Sequence, residues 1–154
     1  YADGKDLKAR EMMAWADTLA GISITMAGAS LGHAMAHPLG AYFNMPHGLA
    51  LAYVTPGTIR YLHDTGVDKI HSLAQHFAVG EDLQPLPPTP RAMAAIERLI
   101  ARINLKTPLR EWKVTDKTVV AMSQTVAERL PFIIGRKARP EDTEAIANIY
   151  RQVM

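Results

Sequence analysis

Apolar residues recur every three to four positions along most of the chain, which is the spacing of an α-helix. No run of residues alternates between apolar and polar in the way that a half-buried strand does. The sequence therefore predicts an all-α fold of about seven helices with no sheet, forming one domain over residues 1–154. The predicted helices are Lys5–Ala29, Leu31–Phe43, Gly48–His63, Val67–Ala78, Ala92–Ile103, Asp116–Leu130 and Pro140–Val153.

Residues that start or break helices lie at the borders of these segments. Thr115 is placed to cap the helix that follows it, and Pro140 suits a first helical turn. The Pro56-Gly57 pair predicts a kink or a break in the third helix. Four prolines in Glu81–Pro90 indicate a stiff connector, and Leu105–Val114 is predicted to be a loop that packs on the core.

The first predicted helix is apolar on all sides in its second half, as a helix enclosed by others would be. Met12–Leu31 is the most apolar stretch, but Asp17 and several small polar residues interrupt it. The sequence therefore predicts a buried core helix here and no membrane span.

Composition narrows the chemistry that the chain can perform. It has no cysteine, which rules out disulfides, thiolate ligands and a cysteine nucleophile within these 154 residues. A net charge of +2, without a basic run that contains aromatic residues, argues against nucleic acid as a partner. The opening residues do not resemble a signal peptide, so we expect a cytoplasmic location.

Three histidines fall within fifteen residues, from His33 to His47. His33 and His37 are four apart, so on a helix they share one face. His47 lies between Pro46 and Gly48, which indicates a turn. Imidazole is the commonest metal ligand, so the cluster indicates a zinc or iron site, with structural histidines as the alternative. Helical spacing alone favours His33 and His37 as the ligand pair.

The stretch that holds these histidines resembles the second signature of the iron-containing (group III) alcohol dehydrogenases. The resemblance covers essentially the whole chain and is strongest over residues 20–50. It implies the helical C-terminal domain of that family. The signature stands here as Ala29-Ser30-Leu31-Gly32-His33-Ala34-Met35-Ala36-His37-Pro38-Leu39-Gly40, followed by Pro46-His47-Gly48.

The resemblance implies roles that differ from those favoured by helical spacing. It implies that His33 and His47 are the metal ligands, and that His37 is a catalytic residue beside the nicotinamide and the substrate. Pro38 disturbs the helix directly after His37, which is one physical reason why the His33 and His37 rings need not face the same ion.

The resemblance also implies an activity and the parts that it needs. The activity is hydride transfer between an alcohol or aldehyde and NAD or NADP, with Fe(II), or zinc in some members, as Lewis acid. In the family, an N-terminal domain with a Gly-Gly-Gly-Ser loop holds the nucleotide, and an upstream Asp-x-x-x-His completes the metal site. Neither pattern occurs in this sequence. We therefore expect a C-terminal piece whose partner is its own N-terminal domain, and which is inactive alone.

Two other interpretations remain open. One is a related metal-dependent reductase whose substrate is a hydroxy acid, a diol or glycerol. The other is a non-enzymatic helical fragment or interaction module with structural histidines. The remaining histidines, His63, His71 and His76, are predicted to lie in solvent or at helix ends. The sequence leaves substrate, nucleotide preference and homo-oligomerisation open.

Overall fold

The computed structural model describes residues 2–66, 81–105, 108–134 and 139–154. The predicted helix Val67–Ala78 lies outside these ranges. Within them the chain forms seven α-helices and no strand, which confirms the predicted all-α class. The helices are α1 (Leu7–Ala27), α2 (Leu31–Phe43), α3 (His47–Asp64), α4 (Pro88–Arg102), α5 (Asp116–Ala127), α6 (Leu130–Ile134) and α7 (Pro140–Arg151).

The chain divides into two compact units, Tyr1–Ser30 and Leu31–Met154. The single domain over residues 1–154 therefore stays a prediction. The first unit consists of α1, which begins where the Asp6 side chain accepts a hydrogen bond of 3.0 Å from the backbone N–H of Ala9. The helix α1 is followed by its C-cap residue Gly28, whose φ of 77° is a left-handed value that glycine adopts without strain.

The prediction that this first helix is buried is wrong. No residue of α1 is buried, and large apolar side chains such as Trp15 and Leu19 keep more than half of their surface exposed, at 62% and 57%. Its apolar composition shows that the helix needs covering. Composition does not reveal which residues would cover such a helix.

No single helix among the described residues is both long enough and apolar enough to span a membrane. Only α1 and α2 counted together meet the criteria of length and composition.

In the second unit, α2 packs on α3 and α5, while α7 packs on α5 and α3. These contacts enclose one main core of large apolar side chains, most of which come from these four helices. Because α2 and α3 both contribute to this core, the connection between them is fixed at both ends. The fully buried large residues are Leu31, Met35, Leu39, Val54, Leu109, Val119, Met122, Val126, Leu130, Ile146 and Tyr150.

Local sequence signals correctly predicted where α5 and α7 begin. The side-chain oxygen of Thr115 accepts from the backbone N–H of Thr118, and Pro140 occupies the first turn of α7. Of the kink or break predicted at Pro56-Gly57, the break does not occur, since α3 runs unbroken from His47 to Asp64, and the kink stays a prediction. Packing of α3 against its neighbours outweighs the one backbone hydrogen bond that a proline removes.

The described residues of the predicted loop Leu105–Val114, from 108 to 114, pack on the core as predicted. Its residues Leu109–Trp112 form a 3₁₀ helix, and the Leu109 side chain is fully buried. The backbone N–H of Leu109 donates a 2.9 Å hydrogen bond to the carbonyl of Val153. This bond ties the segment to the residues that follow α7.

A buried carboxylate connects α3 to the start of α7. Asp142 is 2% exposed and accepts a 2.8 Å hydrogen bond from the Tyr61 hydroxyl at Oδ1. Its other oxygen, Oδ2, accepts from the backbone N–H of Arg139 at 2.8 Å. The carboxylate therefore holds the first turn of α7 against α3.

A second buried hydrogen bond supports α2. The Tyr150 hydroxyl donates to the carbonyl of Met35 at 2.6 Å. Burial raises the pKa of Tyr150, so the hydroxyl stays protonated and remains a donor. Since Met35 lies between His33 and His37, this bond braces the helical turn that carries both imidazoles.

Gly57 allows α3 and α7 to approach closely. A Cβ at this position would lie 2.6 Å from Cγ2 of Ile149 and 3.1 Å from its Cγ1. We expect Gly57→Ala to lower the free energy of unfolding by about 1–2 kcal/mol in chemical denaturation, because overpacking outweighs the gain in helix propensity.

Gly40→Ala is the matched control, since its Cβ would meet only the Met45 carbonyl at 3.7 Å. We expect this substitution to leave stability unchanged or slightly higher. Equal effects of the two substitutions would contradict the close approach.

Candidate metal centre

The three histidines lie on two helices that a short turn connects. His33 and His37 lie one helical turn apart on α2, and His47 is the first residue of α3. Asn44 has a φ of 53°, and its backbone N–H donates to the carbonyl of Gly40 at 2.9 Å. This left-handed residue reverses the chain, and the buried Met45 anchors the turn. His47 is thereby returned to the side of α2.

The turn brings the three predicted site residues together. The ring centroids of His33 and His47 are 5.2 Å apart, with an angle of 51° between the ring planes. The centroids of His37 and His47 are 5.9 Å apart, with an angle of 42°. His47 is the ring in contact with both others. The pairing that helical spacing favours, His33 with His37, is therefore not the one with the closest rings.

The cluster favours a neutral imidazole at His33. Burial lowers the pKa of His33, and the nearby His47 and His37 rings lower it further. His33 is half-buried, whereas His37 and His47 are exposed. A neutral imidazole has the free lone pair that a metal requires, so His33 is ready to bind without first losing a proton.

The chemistry of the cluster fits part of an iron or zinc site. Imidazole nitrogen suits both metals, and the cluster supplies three imidazole rings. In the part of the chain that the structure describes, no group of three or more histidine, cysteine, aspartate or glutamate residues could hold a metal ion. Catalytic sites usually take three protein ligands, so further ligands are needed.

The structure adds one residue that the sequence did not predict. Nη1 of Arg129 lies 3.3 Å from Nδ1 of His37, although the two are 92 positions apart. No motif marks Arg129, and only the packing of α2 against α5 reveals the contact. His63 is hydrogen-bonded to Thr89 at 3.0 Å, at the far end of α3, while His71 and His76 lie outside the described residues.

The lowered pKa of His33 predicts a pH dependence of stability. The unfolded chain binds a proton at the ordinary histidine value, about 6.5, whereas the folded chain binds it only at lower pH. The unfolded state therefore holds more protons in this window, and the free energy of unfolding falls as pH drops from about 6.5 toward the folded pKa.

We expect His33→Gln to flatten this slope in chemical denaturation between about pH 5 and pH 8. His63→Gln serves as control, since it removes an imidazole that lies outside the cluster. A His33→Gln variant with the same slope as the unmodified chain would show that His33 is not the source of the pH dependence.

The chain matches the family described as Fe-containing alcohol dehydrogenase, C-terminal, over residues 1–154. It is 34% identical over 151 residues to the 1,3-propanediol dehydrogenase of Citrobacter freundii, covering 97% of this chain and 38% of that protein. It is 30% identical over 148 residues to the lactaldehyde reductase of Escherichia coli K12, covering 94% of this chain and 38% of that protein.

The fold shows the same relationship. The crystal structure of a 1,3-propanediol oxidoreductase superposes with a TM-score of 0.85 at 32% identity, covering 99% of this chain and 40% of that one. This chain thus spans about two fifths of the length of such relatives. With a helical fold and a family match along its whole length, it belongs to the iron-containing alcohol dehydrogenases and corresponds to their C-terminal domain.

Proposed function

We propose that this chain is the metal-binding domain of a dehydrogenase that transfers hydride between an alcohol or aldehyde and NAD or NADP. The observation that carries the proposal is the meeting of three imidazole rings, at 5.2 and 5.9 Å, within a chain of this family. The relatives named above act on a diol and on a hydroxyaldehyde, which supports a short-chain alcohol or diol as substrate.

His33 and His47 are the proposed metal ligands. Their rings are the closest pair, and the lowered pKa of His33 keeps one of them neutral. Iron or zinc, when bound, supplies Lewis-acid polarisation of the substrate oxygen. The remaining ligands and the nucleotide site belong, in this proposal, to the part of the relatives' length that this chain does not span.

His37 is the proposed catalytic residue. It is exposed beside His47, so its ring can reach a substrate that approaches the ligands from the solvent side. There its imidazole orients the substrate hydroxyl by a hydrogen bond and helps to move the proton. A nicotinamide, when bound, would supply the hydride acceptor, and the chain's own residues would bind, orient and hold a proton.

The test uses protein expressed from the complete coding sequence that contains this chain. We expect His33→Ala and His47→Ala to lose both bound iron or zinc and NAD(P)-linked oxidation of 1,3-propanediol. His37→Ala should retain the metal but lose about 100-fold or more in kcat, the scale of general acid–base catalysis. Metal content is measured by elemental analysis and turnover by nicotinamide absorbance.

His63→Ala is the matched control, since it removes an imidazole from α3 outside the cluster. It should keep both metal and turnover. Full metal content and full activity in the His47→Ala variant would overturn the proposal, and would favour a non-enzymatic role with structural histidines.

A further inference from the structure

Arg129 contacts the exposed histidine of the cluster from a separate part of the fold. It lies in the short turn between α5 and α6, and its Nη1 is 3.3 Å from Nδ1 of His37. His37 is on α2, so the contact joins two elements that are distant in sequence. Neither residue is a proposed metal ligand.

The chemistry of the two groups fixes the direction of this hydrogen bond. A guanidinium carries only donors and stays charged, so Arg129 must donate and Nδ1 of His37 must accept. An imidazole nitrogen that accepts has no proton. In neutral His37 the ring proton therefore resides on Nε2.

Hydrogen bonds hold the backbone around Arg129, so the point at which its side chain leaves the backbone is fixed. The N–H of Arg129 donates to the carbonyl of Val126 at 2.9 Å, and its own carbonyl accepts from the N–H of Phe132 at 3.2 Å. Val126 and Leu130, on either side, are fully buried. The turn that carries Arg129 is therefore attached to the same core against which α2 packs.

We propose that Arg129 is a positioning residue that holds neutral His37 in the tautomer with its proton on Nε2. One nitrogen of His37 is then occupied by Arg129 and the other carries a proton, so neither offers a lone pair to a metal. His33 and His47 then bind the metal, and His37 acts in the site as an N–H donor. The role toward substrate rests on the proposed function, whereas the tautomer does not.

The assignment explains why the ring geometry and the helical spacing point to different ligand pairs. His33 and His37 share a helical face, yet a charged donor engages the second ring. His47, whose ring is in contact with both of the others, takes the place of His37 as the partner of His33.

The test is proton–nitrogen correlation spectroscopy of this chain with nitrogen-15-labelled histidines, at about pH 8.5, well above the ordinary histidine pKa. In the unmodified chain we expect His37 to carry its proton on Nε2, with Nδ1 shifted by an accepted hydrogen bond. Arg129→Met should move the Nδ1 resonance to the position of an imine nitrogen without a donor. Arg129→Lys, which keeps a donor, should restore most of the shift.

His63 is the internal control, because its Nδ1 is hydrogen-bonded to Thr89 and should be unaffected by either variant. Thermal unfolding checks that the variants fold, and Arg129→Gln serves as a second neutral variant if Arg129→Met does not. A proton on Nδ1 of His37 in the unmodified chain, or an unchanged Nδ1 resonance in Arg129→Met or Arg129→Gln, would overturn the proposal.

Zinc added to the same samples separates this proposal from the proposed function. We expect zinc to shift the ring nitrogens of His33 and His47 in the unmodified chain, and those of His37 as well only in Arg129→Met. Ligand-like shifts of His37 in the unmodified chain would overturn the role of Arg129. If zinc shifts none of the three rings while the tautomer is as assigned, the metal site fails and the Arg129 assignment stands.

Discussion

This 154-residue chain is expected to bind divalent metal weakly and to show no dehydrogenase activity on its own. The described residues bring three imidazoles together but no carboxylate, and no larger ligand group occurs among them. The sequence also lacks the Gly-Gly-Gly-Ser loop and the Asp-x-x-x-His pattern that its family resemblance calls for. Two imidazoles leave most of the coordination to water, so affinity falls by orders of magnitude relative to a complete site.

Calorimetric titration with Zn²⁺ or Fe²⁺ and an NAD(P)-linked alcohol oxidation assay measure both quantities. His47→Ala should remove the residual heat of binding, whereas His63→Ala should leave it unchanged. Micromolar or tighter binding by the monomer, or turnover that depends on His47, would show that the chain completes its own site. Tight binding only by a dimer would instead mean that ligands are shared between copies.

Replacing Asp142 by alanine is expected to lower the free energy of unfolding by about 3 kcal/mol. The substitution removes the acceptor for two hydrogen bonds, one from the buried Tyr61 hydroxyl and one from the backbone N–H of Arg139. It also removes a negative charge from the first turn of α7, where the helix dipole favours one. Tyr61→Phe, which removes only one of the two hydrogen bonds, should cost about 1–2 kcal/mol.

Chemical denaturation gives these values, with Glu141→Ala as the matched control. Glu141 is the adjacent acid in the same helical turn, but it is exposed and pairs with Nε of Arg139 at 3.1 Å on the surface. Its removal should cost less than about 1 kcal/mol. A cost for Asp142→Ala no larger than that for Glu141→Ala would show that the buried carboxylate does not hold α7 against α3.

The fold could be predicted from the sequence wherever the deciding forces are local. Helix spacing placed α2 at Leu31–Phe43, and a capping threonine placed the start of α5. Prediction was wrong where tertiary contacts decide. Of the kink or break predicted at Pro56, the break does not occur, because packing along the whole helix outweighs one lost hydrogen bond. The burial of α1 was predicted from composition, which cannot say what covers an apolar helix.

In the candidate site, too, local features could be predicted from the sequence and tertiary contacts could not. The residue types and the Pro-His-Gly turn identified the cluster, since a turn after α2 can return His47 to its side. Spacing along one helix could not show that His47 contacts both other rings, because that depends on how α3 leaves the turn. Arg129 could not be predicted, because its contact with His37 arises only when α5 packs on α2.

His33 and His47, and not His37, are the proposed ligands of the metal ion. The most direct test is a crystal structure of the metal-loaded protein, expressed from the complete coding sequence, with the ion located by anomalous scattering. We expect one ion about 2.0–2.2 Å from a ring nitrogen of both His33 and His47, with His37 outside the coordination sphere. An ion bound by His37, or one bound without His47, would contradict this ligand assignment.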